Sequence, residues 1–292
     1  MRCPTLSELP PPPVRKTGWP WTEETPQLPE RMPNGSPWPK ISIVTPSLNQ
    51  GKFIEETIRS VLLQGYPDFE YIIIDGGSTD ESVDVIKKYE RWLSYWISEP
   101  DKGQSSGINK GFKRSTGAIG AWINSDDLYE PRVFHKVAKA FCQREDLVLL
   151  YGDCKNIDEI GKVFSISRSR AYDRNRLIRC WPNFIPQPTA FFLCSAFKRL
   201  GGLDTSLQFA MDYDFWIRLG TEGPGLYLPL QIACFRVHEN SKTSPGPIVY
   251  WPEMRSVSRR HASGFLSPMY IKHLRDRFYL FRQKIRRGIF KS

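Results

Sequence analysis

The chain has 292 residues, a net charge of +10, 40% hydrophobic and 25% charged residues. That is enough for one large α/β domain with appendages, or for two small domains. No apolar run approaches the roughly 18 residues of a membrane-spanning helix, and "MRCPTLSELPPPPV" lacks the apolar stretch of a secretion signal, so a cytosolic location is expected. The six cysteines, at 3, 142, 154, 180, 194 and 234, form no C-x-x-C pair, which argues against a zinc site and a disulfide framework. From Trp251 to Ser292 there are 11 Lys/Arg against 2 Asp/Glu. The basic character is therefore local, and no nucleic-acid partner is expected.

Residues 1–38 are proline-rich ("PPPP", "TPQLPERMPNGSPWP") and aperiodic, which predicts either an extended arm lying over the domain or a loose tail. From Ile41 the texture changes. "ISIVTPS" reads as a short strand, and "FIEETIRSVLLQG" as a helix with Ile54, Ile58, Val61 and Leu62 on one face, ended by Gly65. "FEYIIIDGG" is a strand and turn, "TDESVDVIKKYERW" a helix capped by Thr79 or Asp80, "LSYWISEP" a strand and "SGINKGFKRS" a helix. "GAIGAWINSDDLYEP" follows as a strand ending in acids, then the helix "RVFHKVAKAF" and the strand "DLVLLYGD". Strands alternating with helices predict a mostly parallel sheet flanked by helices. Beyond residue 151 the pattern is less regular and more β-like, and 151–245 reads as a half that continues the sheet and builds an acceptor wall after the nucleotide-binding half 39–150.

Two adjacent acids, Asp126 and Asp127, end the strand Ala118 to Ile123. They could cap the following helix, with Pro131 at its first turn. Alternatively, two carboxylates at the mouth of a parallel sheet could hold a divalent cation that in turn holds a diphosphate. Three strands end in polar turns, "TPSLN", "DGGSTD" and "NSDD", and in an open parallel sheet such loops converge on one crevice, which favours the second reading.

Three stretches, "SIVTPSLNQGKFIEETIRSVLLQGYPDFEYIIIDGGSTDES", "SEPDKGQSSGINKGFKRSTGAIGAWINSDDLYEP" and "GGLDTSLQFAMDYDFWIRL", resemble family-two glycosyltransferases over about Lys40 to Ser244. The resemblance implies the A-type nucleotide-diphospho-sugar transferase fold, a Rossmann-like α/β fold. It implies Asp127 as the ligand of Mg²⁺ or Mn²⁺, with Asp126 facing the ribose or the metal shell. Pro46 and Ser47 would lie beside the nucleotide and Asp75 near the base; Asp101, Lys102 and Gln104 fall where relatives contact ribose or phosphate. Many relatives carry a second acid after the one matched by Asp75, where this chain has Gly76. Asp212 matches the catalytic base, Asp214 a nearby second acid, and Met211 replaces the usual preceding Glu. His238 matches a metal or phosphate ligand of some relatives.

The expected activity is inverting transfer from a nucleoside-diphosphate sugar to the hydroxyl of a saccharide or lipid-linked saccharide, as in cell-envelope or extracellular polysaccharide synthesis. Loss of turnover on the same fold, leaving a sugar-nucleotide or polysaccharide-binding protein, is permitted by Met211 and Gly76. A nucleotidyltransferase would carry a glycine-rich basic first loop, which "TPSLNQGKF" does not offer. Asp212 and Asp214 also admit a plain reading, as a helix cap and an i, i+4 partner of Arg218. Trp181 could stack on an acceptor sugar. Residues 246–292 form an extension in which Ile271, Leu274, Phe278, Phe281, Ile285 and Ile289 repeat at three and four among Arg and Lys, a basic amphipathic helix over about 268–290. Such a helix suits either an anionic membrane surface, making the protein peripheral to the membrane, or packing against the catalytic domain.

Overall fold

A computed structural model describes residues 1–179, 183–242, 244 and 246–262. Trp181 and the helix expected over 268–290 lie outside the described residues. The first half alternates as the sequence suggests: β1 (Ile41–Ser47), α1 (Gly51–Leu62), β2 (Phe69–Asp75), α2 (Ser82–Tyr89), β3 (Tyr95–Ser98), α3 (Gln104–Arg114), β4 (Ile119–Trp122), the short β5 (Leu128–Tyr129) and α4 (Val133–Gln143). The second half contains β6 (Leu149–Ile157), β7 (Val163–Ser167), α5 (Arg174–Arg179), β8 (Phe191–Leu193), α6 (Cys194–Arg199), α7 (Met211–Leu219), β9 (Gly225–Arg236) and α8 (Pro247–His261).

Among the described residues the strands form one sheet in the order β3-β2-β1-β4-β8-β6-β9-β5, with β7 on β6. β1 pairs in parallel with β2 and β4, and β2 with β3. β8 runs antiparallel to both β4 and β6, and β9 is parallel to β6. Every residue of β1 and β2 is buried, the pattern of parallel strands covered on both faces. Side chains alternate across the sheet: Ile41, Ile43, Tyr71 and Ile73 join α1, α2 and α4 in one core, whereas Val44, Ile72 and Ile74 join α3 and the later helices in the other. Gly111 lets α3 sit close to the sheet, since a Cβ there would lie 2.5 Å from Val44 Cγ1.

The proline-rich arm is packed over the first core. Cys3, Leu9, Trp21 and Trp38 are buried. Arg59 of α1, itself fully buried, donates to the carbonyls of Pro10, Pro20 and Trp21 at 2.9–3.0 Å. At the other end, α8 closes the second core: Ser258 Oγ donates to Ile178 O, and the Glu253 carboxylate accepts the amides of Gln208, Phe209 and Ala210 ahead of α7.

The two acids do not cap α4. β5 intervenes, Arg132 occupies the cap position with φ +64°, and the Val133 amide is satisfied by Gln64 Oε1 at 2.8 Å. Neither Thr79 nor Asp80 is the N-cap of α2, which is Glu81 without a side-chain cap bond; the Asp80 carboxylate accepts from Ser82 N and from Gly51 N at the start of α1.

Candidate functional site

The carboxyl ends of β1 and β4 open into a cavity of about 750 Å³, lined on one side by Pro46, Ser47, Asp101, Gln104 and Asp126 and on the other by Asn183, Phe209, Asp212 and Lys242. The loops after β1 and β4 meet there as parallel-sheet topology predicts, whereas no residue of the "DGGSTD" turn after β2 lines it. Ser47 Oγ is buried at the cavity wall without a hydrogen-bond partner, a polar atom left for a ligand or water.

The two acids stand differently to the cavity. Asp127 is fully buried and does not line the cavity; its Oδ1 accepts from Arg236 N at 2.9 Å and its Oδ2 from Asn124 Nδ2 at 3.1 Å. Burial, and then the neighbouring Asp126 charge, hold its carboxyl well above the ordinary carboxylate range. Asp126 faces the cavity, with a side chain 17% exposed, and its Oδ2 lies 3.0 Å from His238 Nε2. His238 is buried behind it, against the Phe53 ring.

Arg236 organises this corner. Fully buried, it donates to Asp126 O, Asp158 O and Glu159 O, pairs with Glu56 at 2.9 Å, and gives its backbone amide to Asp127. Asp126 and His238 provide one oxygen and one nitrogen donor, a set that fits Mg²⁺ or Mn²⁺ if phosphate oxygens and water complete the shell. Among the described residues no cluster of three or more His, Cys, Asp or Glu is suited to a metal.

Asp75 also lies away from the cavity. It is fully buried, absent from the cavity lining, and accepts from Gly77 N, Ser78 N, Ser78 Oγ and Ser98 Oγ at 2.6–3.1 Å. Its carboxylate is used up in building the turn. Asp101 does face the cavity: Oδ1 accepts Gly103 N at 2.7 Å, and Oδ2 lies beside Gly76 and Gly107, 3.3 and 3.1 Å from where their Cβ atoms would be. Lys102 is exposed and outside the lining.

Asp212, at the start of α7, is half-buried in the cavity wall. Its Oδ1 accepts Tyr213 N at 2.7 Å and its Oδ2 faces Asn183 Nδ2 at 3.4 Å. Burial pushes its carboxyl up to about 6. Asp214 points elsewhere: with 1% exposure it pairs with Arg218 at 2.7 Å and His261 at 2.9 Å, an internal ion pair rather than a surface one.

Asn124, Gln187 and Lys242 are given no role by the sequence, and they join the expected Gln104. Gln104 Nε2 donates to Asn124 Oδ1 at 2.6 Å, and Asn124 donates to Gln187 Oε1 at 3.1 Å. Lys242 Nζ donates to Gln104 Oε1 at 3.1 Å and lies over the Phe209 ring. Burial lowers its pKa, against the raising influence of Glu253 and Asp212. The only sequence hint of Lys242 and Arg236 is their place within four and two residues of His238.

The chain is 28% identical over 186 residues to an uncharacterized glycosyltransferase of Rickettsia typhi, covering 62% of this chain and 58% of that one. It is 28% identical over 191 residues to the chondroitin synthase of Escherichia coli (64% and 27%), and 28% over 186 residues to a PGL/p-HBAD biosynthesis glycosyltransferase of Mycobacterium bovis (62% and 69%). The match thus spans little more than half the length of the Rickettsia relative. Among solved structures, S. aureus TarS 1-349 in complex with UDP-GlcNAc is similar with a TM-score of 0.61 at 19% identity, covering 77% of this chain and 68% of that one. The mannosyltransferase PcManGT from Pyrobaculum calidifontis, in complex with GDP-Man and Mn²⁺, gives 0.58 at 16% (87% and 70%). These likenesses establish the nucleotide-sugar transferase fold. Residues 42–201, more than half of the chain, match the family described as glycosyl transferase family 2, and the chain belongs to it.

Proposed function

We propose that this protein is an inverting, metal-dependent glycosyltransferase that moves a sugar from a nucleoside-diphosphate sugar to a hydroxyl acceptor. The observation that carries the proposal is the sharing of one cavity by Asp126, backed by His238, and by Asp212, whose carboxyl burial pushes up to about 6. A base with a pKa near working pH is suited to accept the acceptor's proton during attack. Used as a general base for single displacement, Asp212 would give inversion at the anomeric centre.

Asp126 and His238 would hold Mg²⁺ or Mn²⁺, which when bound supplies Lewis-acid neutralisation of the departing diphosphate. Ser47 and Gln104 would donate to the donor's phosphates or ribose, with Lys242 adding positive charge. On the base side, the Asp101 carboxylate lies over Gly76, where many relatives carry their second acid, and we assign it the base contact. The donor class is supported by the UDP-GlcNAc and GDP-Man complexes of the fold neighbours. A saccharide or lipid-linked saccharide acceptor, in extracellular polysaccharide or envelope glycolipid synthesis, is supported by the chondroitin synthase and PGL/p-HBAD relatives. A cytosolic site peripheral to the membrane belongs to the same proposal; among the described residues no helix is long and apolar enough to cross a membrane.

Thermal-shift screening of nucleoside diphosphates with and without Mn²⁺, followed by hydrolysis of the matching nucleotide sugar, tests the proposal. Stabilisation by one base that requires the metal, with slow donor hydrolysis, is expected. Metal-independent binding without hydrolysis would instead identify a binding protein on this fold.

A further inference from the structure

The β6–β7 hairpin exposes a group of large apolar side chains: Ile160 at its turn is 83% exposed, and Phe164 and Ile166 on β7 are 57% and 42% exposed. A monomeric domain seldom leaves such side chains together on a projecting element without a partner. All five residues of β7 are exposed, and Asn156 on β6 donates to both Ser165 Oγ and Ser167 Oγ at 2.9 Å, which fixes the serines on one face and leaves Phe164 and Ile166 on the other.

The turn is held rigidly. Buried Arg236 donates to Asp158 O and Glu159 O, the same side chain that binds Asp126 O at the candidate metal corner. The chain then passes from β7 into the cavity wall at Ser167 and Arg168, and the Arg170 guanidinium lies 5.6 Å over the Phe184 ring of the same wall. The apolar hairpin is therefore fixed to the cavity.

The segment that runs on from the hairpin is basic. Residues 162–179 hold six Arg/Lys against the single Asp173, and Lys162, Arg168, Arg170, Arg176 and Arg179 are exposed. The two acids of the turn are already engaged: Asp158 Oδ1 accepts Ile160 N and Lys162 N, and Glu159 pairs with Lys52. A second copy of the chain would bring like charge against this surface. An anionic bilayer offers both an apolar layer for Ile160, Phe164 and Ile166 and negative headgroups for the basic residues.

We propose that the β6–β7 hairpin is a membrane-docking element that inserts its apolar side chains into an anionic lipid surface and sets the cavity wall against it. Such docking does not depend on the chemistry proposed for the cavity. The test uses the full chain and sedimentation with vesicles of phosphatidylcholine alone or mixed with phosphatidylglycerol. Binding to the mixed vesicles, weakened by salt, is expected. Phe164→Ser/Ile166→Ser, which alters only exposed positions and should leave the Tm unchanged, should reduce partitioning at least about tenfold. In a Phe164→Trp variant, the emission difference from wild type should shift to the blue and be quenched by brominated lipid only when the vesicles are anionic. Absence of vesicle binding, unchanged partitioning of the double variant, or no quenching of the indole introduced by Phe164→Trp would overturn the proposal. Lipid-free self-association lost in the double variant, without vesicle binding, would overturn it in favour of a protein interface.

Discussion

Replacing Asp212 by Asn tests the base and its environment together. Asn keeps the acceptor for Tyr213 N but removes the charge. The carboxyl rises from 3.8 to about 6 in the folded state. At about 1.4 kcal/mol per unit this is a ceiling of roughly 3 kcal/mol, and water at the cavity wall should reduce it to about 1 kcal/mol. The folded state binds the proton more tightly than the unfolded chain, so the wild type is unpenalised below about pH 4 and loses stability as pH rises through about 6. Urea denaturation should therefore show Asp212→Asn equal to wild type near pH 4 and about 1 kcal/mol more stable by pH 7 to 8. Transfer or donor hydrolysis should fall about 10² to 10⁴-fold with nucleotide affinity kept, and wild-type kcat/KM should rise with pH through about 6. A stability difference that does not vary with pH would refute the burial argument. Retained activity in the variant would refute the base assignment.

Three further substitutions test the framework. Arg236→Met leaves the half-buried Glu56 carboxylate and the carbonyls it held without their donor, and should cost about 3–5 kcal/mol in urea denaturation. Arg59→Met removes the donor to three arm carbonyls, so limited proteolysis should cut within residues 1–38 much faster than in wild type. Gly111→Ala pushes a Cβ into Val44 and should lose about 1–3 kcal/mol, partly recovered when Val44→Ala is added.

The parallel half was legible because its strands are apolar runs between helices whose periodicity is plain, and "ISIVTPS" and "FEYIIID" became β1 and β2 with matching ends. The later half was harder to read. The short β8, and β9 with its break in register around Asp153, are defined by neighbours distant in sequence. The cavity was legible as the meeting point of loops at strand ends, but the direction of each carboxylate was not. Asp126 and Asp127 differ by one position, and what separates them is the buried Arg236 amide that claims Asp127 from 109 residues away. Asp75 precedes a glycine turn in the sequence, and the four donors that consume it become apparent only when β3 brings Ser98 alongside. Proline content left the arm's contacts undetermined, because the guanidinium that binds it belongs to α1.

The most direct measurement is calorimetric titration of the best nucleoside diphosphate, with and without Mn²⁺, into folded wild type, Asp126→Asn and Asp127→Asn. If the cavity-facing carboxylate holds the cation, the manganese-dependent gain in affinity should vanish in Asp126→Asn and persist in Asp127→Asn. The opposite pattern, or a gain that survives both changes, would contradict the account.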